Sequence, residues 1–198
     1  KIALIFTDFK IMSNKILSIS AIVLAVVFSS CEREYLDEEL SMKRTDYTGN
    51  ELRIDGYYYR RYQFVDSKGV EQDDFIPCFL YRNGVSTYTY VYHYSEQEQA
   101  EEKFKNEGYP ELMKNDRFRW RIFRIQGNTI EFEGQDYYSR AASAECVAFK
   151  EFGEIIDDTT FMITKEIVGG KVNEYAKGAV YHFKQLSPKP DSTNSFIK

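Results

Sequence analysis

The chain has 198 residues, 16 of them Tyr and 15 Phe, and a net charge of −5. An acidic chain has no general electrostatic attraction to nucleic acid. With no C-x-x-C and no Cys/His cluster among three Cys and two His, it offers no ligand set for a structural zinc, and neither a metal nor any other cofactor is expected.

Met12 to Lys15 is a short polar, positive segment, and residues 1–11 do not fit a signal n-region. Ile16 to Phe28 is then almost wholly apolar. A helix needs about 20 apolar residues to cross a bilayer; this run of thirteen has the length of a secretory signal core. Ser29-Ser30 stands directly before Cys31, and the composition then turns acidic. Small residues before a cysteine resemble the lipobox of bacterial lipoproteins. In that family Leu is usual where Phe28 stands. The resemblance implies cleavage before Cys31 and fatty acylation (palmitate-type chains) of Cys31. Two or three acyl chains hold a protein firmly to a membrane, where one is marginal. The expected partner is therefore a membrane, and the expected location an outer-membrane lipoprotein on its periplasmic or cell-surface face. Residues 1–30 carry Lys1, Lys10 and Lys15 against Asp8, so residues 31–198 are more acidic than the whole, at net −7.

Residues 31–50 read as an acidic tether. Glu32, Glu34 and Asp37-Glu38-Glu39 serve equally as a surface-export signal or a solvated linker. Residues 51–187 form the folded domain and 188–198 a polar tail, in which Phe196-Ile197 is the only apolar pair. Strand patterns run over 52–65, 75–82, 85–94, 117–125, 129–134, 144–154, 159–168 and 173–186. Asn83-Gly84 predicts a two-residue type I′ hairpin, with Cys78 facing Thr89 and Leu80 facing Thr87. Ser95 to Lys105 is the one soluble helix. Ser95 and Glu98 form a capping box, and Ala100 and Phe104 make one narrow buried stripe. Phe118, Trp120 and Ile122 oppose Arg117, Arg119 and Arg121, and the apolar pair Ile122-Phe123 predicts a bulge.

Eight strands joined mostly by short turns, with no helices for parallel crossovers, predict a mostly-β fold. Its expected form is an eight-stranded antiparallel up-and-down barrel with one surface helix; a two-sheet antiparallel sandwich is the alternative. Gly56-Tyr57-Tyr58 on the first strand resembles the lipocalin (calycin) barrels. Tyr58 stands where they carry Trp, and Lys184 is the only cation where they place an Arg over that Trp. The resemblance implies a lumen for a small apolar or amphipathic ligand.

Tyr88, Tyr90, Tyr92 and Tyr94 have period two and are expected on one side of one strand. With Trp120 they are the candidate ligand-binding residues, as a platform for an apolar ligand or glycan; the alternative, which strand preference for Tyr favours, is that they merely cover the surface helix and its neighbours. Cys78 and Cys146 are either a disulfide or two buried thiols. Two histidines, His93 and His182, have no nucleophile context, so a non-enzymatic protein is expected. The weak enzymatic alternative is a hydrolase using a carboxylate pair such as Glu131/Glu133. A surface module that contacts a protein or glycan through exposed aromatics is the second reading.

Overall fold

A computed structural model describes residues 39–89, 92–108, 111–140 and 143–197. The apolar run, Cys31 and Tyr90 lie outside the described residues. The strands are β1 (Gly56–Val65), β2 (Glu71–Leu80), β3 (Val85–Tyr88), β4 (Tyr92–His93), β5 (Trp120–Gln126), β6 (Thr129–Arg140), β7 (Ser143–Asp157), β8 (Thr160–Val168) and β9 (Lys171–Gln185). Eight of them close in the order β1-β9-β8-β7-β6-β5-β3-β2, and β2 pairs back to β1. Every pairing is antiparallel. The expected barrel forms, not the sandwich, and closure leaves its ring without a free edge. The ring fits a lipocalin-like architecture. β4 lies outside it, on the edge of β2.

The helix falls between β3 and β5, as read from the sequence. A 3-10 turn (Tyr94–Glu96) leads into α1 (Gln97–Glu107). Ser95 makes no cap, because the chain is already helical there. Gly108 ends α1 with a φ of +68°, a conformation open to glycine. Ala100 and Phe104 pack against the outer wall of the barrel, where Phe104 meets Phe79 edge-on at 5.4 Å. Tyr57, Gln97, Glu101 and Lys184 lock the helix down: Tyr57 Oη donates to Glu101 Oε1 at 2.6 Å, and Lys184 Nζ lies 2.6 Å from the same oxygen. Lys184 is thus on the outer face, away from Tyr58 inside.

Two further expectations about local geometry fail. Tyr81 N donates to Val85 O (2.9 Å) and Gly84 N to Tyr81 O (3.0 Å), which makes the β2–β3 turn one residue longer than a type I′ hairpin. Among its residues only Gly84 has positive φ, at +74°. A Cβ there would also lie 2.1 Å from Thr45 O. The register accordingly shifts by one, and Cys78 faces Tyr88 and Leu80 faces Ser86. The predicted bulge at Ile122-Phe123 is absent, since β5 pairs with β6 in unbroken register from Arg121 to Gln126. The apolar phase breaks because both faces of β5 are covered: Trp120 and Ile122 join the outer core, Phe123 the inner one.

Two segments cover that outer core. Residues 39–44, the N-terminal segment of those described, lie over β5 and β6, held by Glu133, which is 1% exposed. Its Oε1 accepts from Ser41 N (3.1 Å) and Ser41 Oγ (2.9 Å), and its Oε2 from Met42 N. Ile197 is buried against the same wall, with Phe196 packed beside it.

Candidate functional site

The two ends of the barrel differ. The β1–β2, β6–β7 and β8–β9 turns lie at one end, here the mouth. The β2–β3, β5–β6 and β7–β8 turns lie at the other, the base. Residues 47–55 cross the base: Tyr47 N bonds Arg82 O at 2.7 Å on one turn, and Arg53 N bonds Asp158 O at 2.9 Å on another. Behind this strap the lumen is solid. Phe161 stacks on Tyr181 with centroids 4.8 Å apart and meets Tyr58 at 5.0 Å and Phe132 at 5.8 Å. Leu52 and Leu80 fill the rest of that layer, 2% and 1% exposed.

Towards the mouth the character changes. A cavity of about 170 Å³ is lined by Arg60, Ile76, Tyr88, Arg121, Asp136, Phe149, Glu151, Glu166 and Tyr181. Strand alternation aims these side chains inward. Arg121, 4% exposed, is the central one. Its Nη1 donates to Glu151 Oε2. Its Nη2 lies 3.2 Å from Cys78 Sγ and 3.4 Å from Ser86 Oγ. The guanidinium also rests on two rings, 4.7 Å from the centroid of Tyr88 and 4.4 Å from that of Phe132, a favourable placement for a desolvated cation. Gly134 makes room for it. A Cβ at that position would sit 2.8 Å from Arg121 Cγ and 3.0 Å from Phe149 Cε1, a close approach that explains a glycine inside a strand.

The electrostatics are strained in a defined place. Burial pushes the Glu151 carboxyl up, against the pull of Arg121, and nearby Glu166 adds to the rise. Burial is the largest single influence on Arg121 and opposes its charge, but Glu151 together with Cys78, Tyr181 and Tyr88 holds the guanidinium above its ordinary range. Tyr175 Oη donates to Glu166 Oε2 at 3.2 Å; burial, then Glu166, push that phenol up to about 12. Arg121 Nε is the one buried side-chain nitrogen or oxygen without a hydrogen-bond partner among the described residues. Such a group costs about 1–3 kcal/mol.

The sequence-predicted site residues scatter. Tyr88 lines the cavity, but Tyr92 does not share its face. The strand breaks between them, and Phe75, not an even-numbered neighbour of Cys78, faces Tyr92. Tyr92 and Tyr94 pack against the outer core beside Phe75. Trp120 is 1% exposed on that outer side, and its Nε1 donates to Met113 O at 2.9 Å; it is a core residue there. Cys78 and Cys146 are both buried, and no disulfide joins them. Cys78 faces the lumen, whereas Cys146, paired with Tyr137, lies on the outer face. Glu131 is engaged by Arg124 at 2.6 Å and Glu133 by the N-terminal segment. Among the described residues no group of three His, Cys or carboxylate side chains is placed to hold a metal ion.

Glu151 and Glu166 were not among the candidates. From the sequence, Arg117, Arg119 and Arg121 share one strand face, either an anion contact or a solvated face, but Arg117–Arg119 is a 3-10 turn and only Arg121 enters the barrel. The available signal was Gly134 in the middle of a strand, opposite Arg121. No family model, no curated protein and no solved structure matches the chain.

Proposed function

We propose that the chain is a lipid-anchored, non-enzymatic barrel that carries one small ligand in the mouth-side half of its lumen. The observation that carries this reading is the division of the lumen. An eight-stranded barrel can fill itself with side chains or hold one ligand, and this one does the first at the base and keeps a polar cavity above it. The cavity narrows the ligand expected from the sequence. Drug-sized ligands occupy about 300–1,000 Å³, so about 170 Å³ suits a smaller one. Its charged walls favour a ligand with polar groups over a purely apolar one, which would strip them of water without replacing the lost bonds. The anchor rests on Ser29-Ser30-Cys31 after its apolar run and would tie the barrel to an outer membrane. Cys31→Ala should move the protein from the membrane to the soluble fraction in cell fractionation. A variant that stays membrane-bound contradicts the anchor.

A second reading is favoured by one observation. Of the six large apolar residues exposed among those described, five (Phe64, Val65, Val70, Tyr137 and Val172) lie on mouth-side hairpins and Ile156 lies at the base; a partner docked at the mouth would cover an apolar rim.

A further inference from the structure

We infer that the lumen selects a neutral, hydroxyl-rich molecule of about monosaccharide size; this rests on the ligand-carrier reading above. Four observations on the walls of the cavity converge.

The cavity presents two guanidiniums, Arg60 and Arg121, and three carboxylates, Asp136, Glu151 and Glu166. In so small a space a ligand of single charge meets like charge on the opposite wall, where a low dielectric strengthens the repulsion. A hydroxyl is both a donor and an acceptor. Several of them on one neutral molecule satisfy carboxylates and guanidiniums together, and no net charge is buried with the ligand.

Some of that bonding capacity is unspent. Arg121 Nε has no partner. Arg60 forms no ion pair among the described residues; its guanidinium lies 5.4 Å from the Tyr62 ring centroid. The polar groups are also graded along the axis. Arg121 is buried at the floor beside Glu151, whose side chain is 14% exposed, Arg60 and Glu166 are half-buried, and Asp136 is exposed at the rim. A hydroxyl-bearing ring entering from the mouth would meet bonding groups at each depth. Finally, Tyr88, Phe149 and Tyr181 give the same cavity aromatic walls. They bring apolar area against a ring's C–H faces, and the tyrosines add hydroxyls.

The test is calorimetric titration of the full chain with four separate probe sets. These are neutral monosaccharides and polyols (glucose, galactose, xylose, inositol), a medium-chain fatty acid (laurate), small anions (acetate, phosphate) and a small cation (ethylammonium). Asp136→Asn and Glu166→Gln, at exposed and half-buried positions, keep the fold while removing charged acceptors. Arg121→Met/Glu151→Leu removes the floor pair together. The expected result is one site for at least one neutral polyhydroxyl probe, with binding weakened about tenfold or more by each single variant and lost in the double variant. Binding of laurate alone overturns the ligand class and leaves the carrier reading standing. Binding of the anions or the cation alone does the same. If no probe binds and the barrel interior exchanges only water, both the ligand class and the carrier reading fall.

Discussion

Arg121→Met alone should destabilise the barrel by about 3–5 kcal/mol, because it strands a buried carboxylate. Glu151 has few ways out. Its side chain is 14% exposed, Glu166 adds like charge to its surroundings, and Arg60, the other cation that acts on it, does so more weakly than Glu166 and without an ion pair among the described residues. Glu151→Leu alone should cost a similar amount for the converse reason, since it leaves the guanidinium with only weak bonds to Cys78 Sγ and Ser86 Oγ. The double variant Arg121→Met/Glu151→Leu should recover to within about 1 kcal/mol of the parent or exceed it, as apolar replacements of buried pairs often do. Urea denaturation checks all three, provided the slope with denaturant is unchanged. Singles as mild as surface substitutions, below about 0.5 kcal/mol, would contradict the buried placement of the pair. A double variant that is stable but binds nothing would show that the pair serves the cavity and not the fold.

The second large effect belongs to the solid half. Phe161→Ala should cost about 3–5 kcal/mol. Phe161 is 1% exposed and touches Tyr58, Phe132 and Tyr181, which come from three other strands. The strap over the base and the ring hydrogen bonds limit how far those neighbours can collapse. The space left behind is apolar, and a dry apolar cavity of that kind takes up benzene or xenon. Thermal denaturation with and without benzene should therefore stabilise Phe161→Ala and leave the parent unchanged. Stabilisation of the parent by benzene would mean that the base is not filled.

How much of this was legible depends on how many faces of each strand are covered. β6 to β9 show their inward residues Ile130, Phe132, Phe161, Ile163 and Tyr181 at strand spacing, although register shifts at Phe152/Gly153, Ile155/Asp157 and Ile163/Lys165 interrupt the alternation, and their turns carry Gly127-Asn128, Asp157-Asp158 and Gly169-Gly170. The barrel followed from these strands and from the want of crossover helices. β2, β3 and β5 are covered on both sides, by lumen residues within and by α1 and the two covering segments without. Period-two reasoning assumes one wet face, so it read the covered face of Trp120 and Ile122 as the inside and Arg121 as solvated. The tyrosines failed for a related reason. Regular spacing promised one face, but the register of β2 with β3 and then β4 differs by one residue across the break, and sequence spacing alone does not report such a slip. The lumen pair was hidden because its partners come from β5 and β7, thirty residues apart, and local pattern does not reach that far.

The cargo proposed for the mouth-side half of the lumen is one small, neutral, hydroxyl-rich molecule. Native mass spectrometry of the protein purified from its own cells tests it most directly. Beyond any acyl chains on Cys31, which survive denaturation, the parent should carry one non-covalent added mass within the monosaccharide range, and Arg121→Met/Glu151→Leu should carry none. A non-covalent added mass matching a fatty acid, or a parent without non-covalent cargo under conditions that preserve its fold, would overturn this reading.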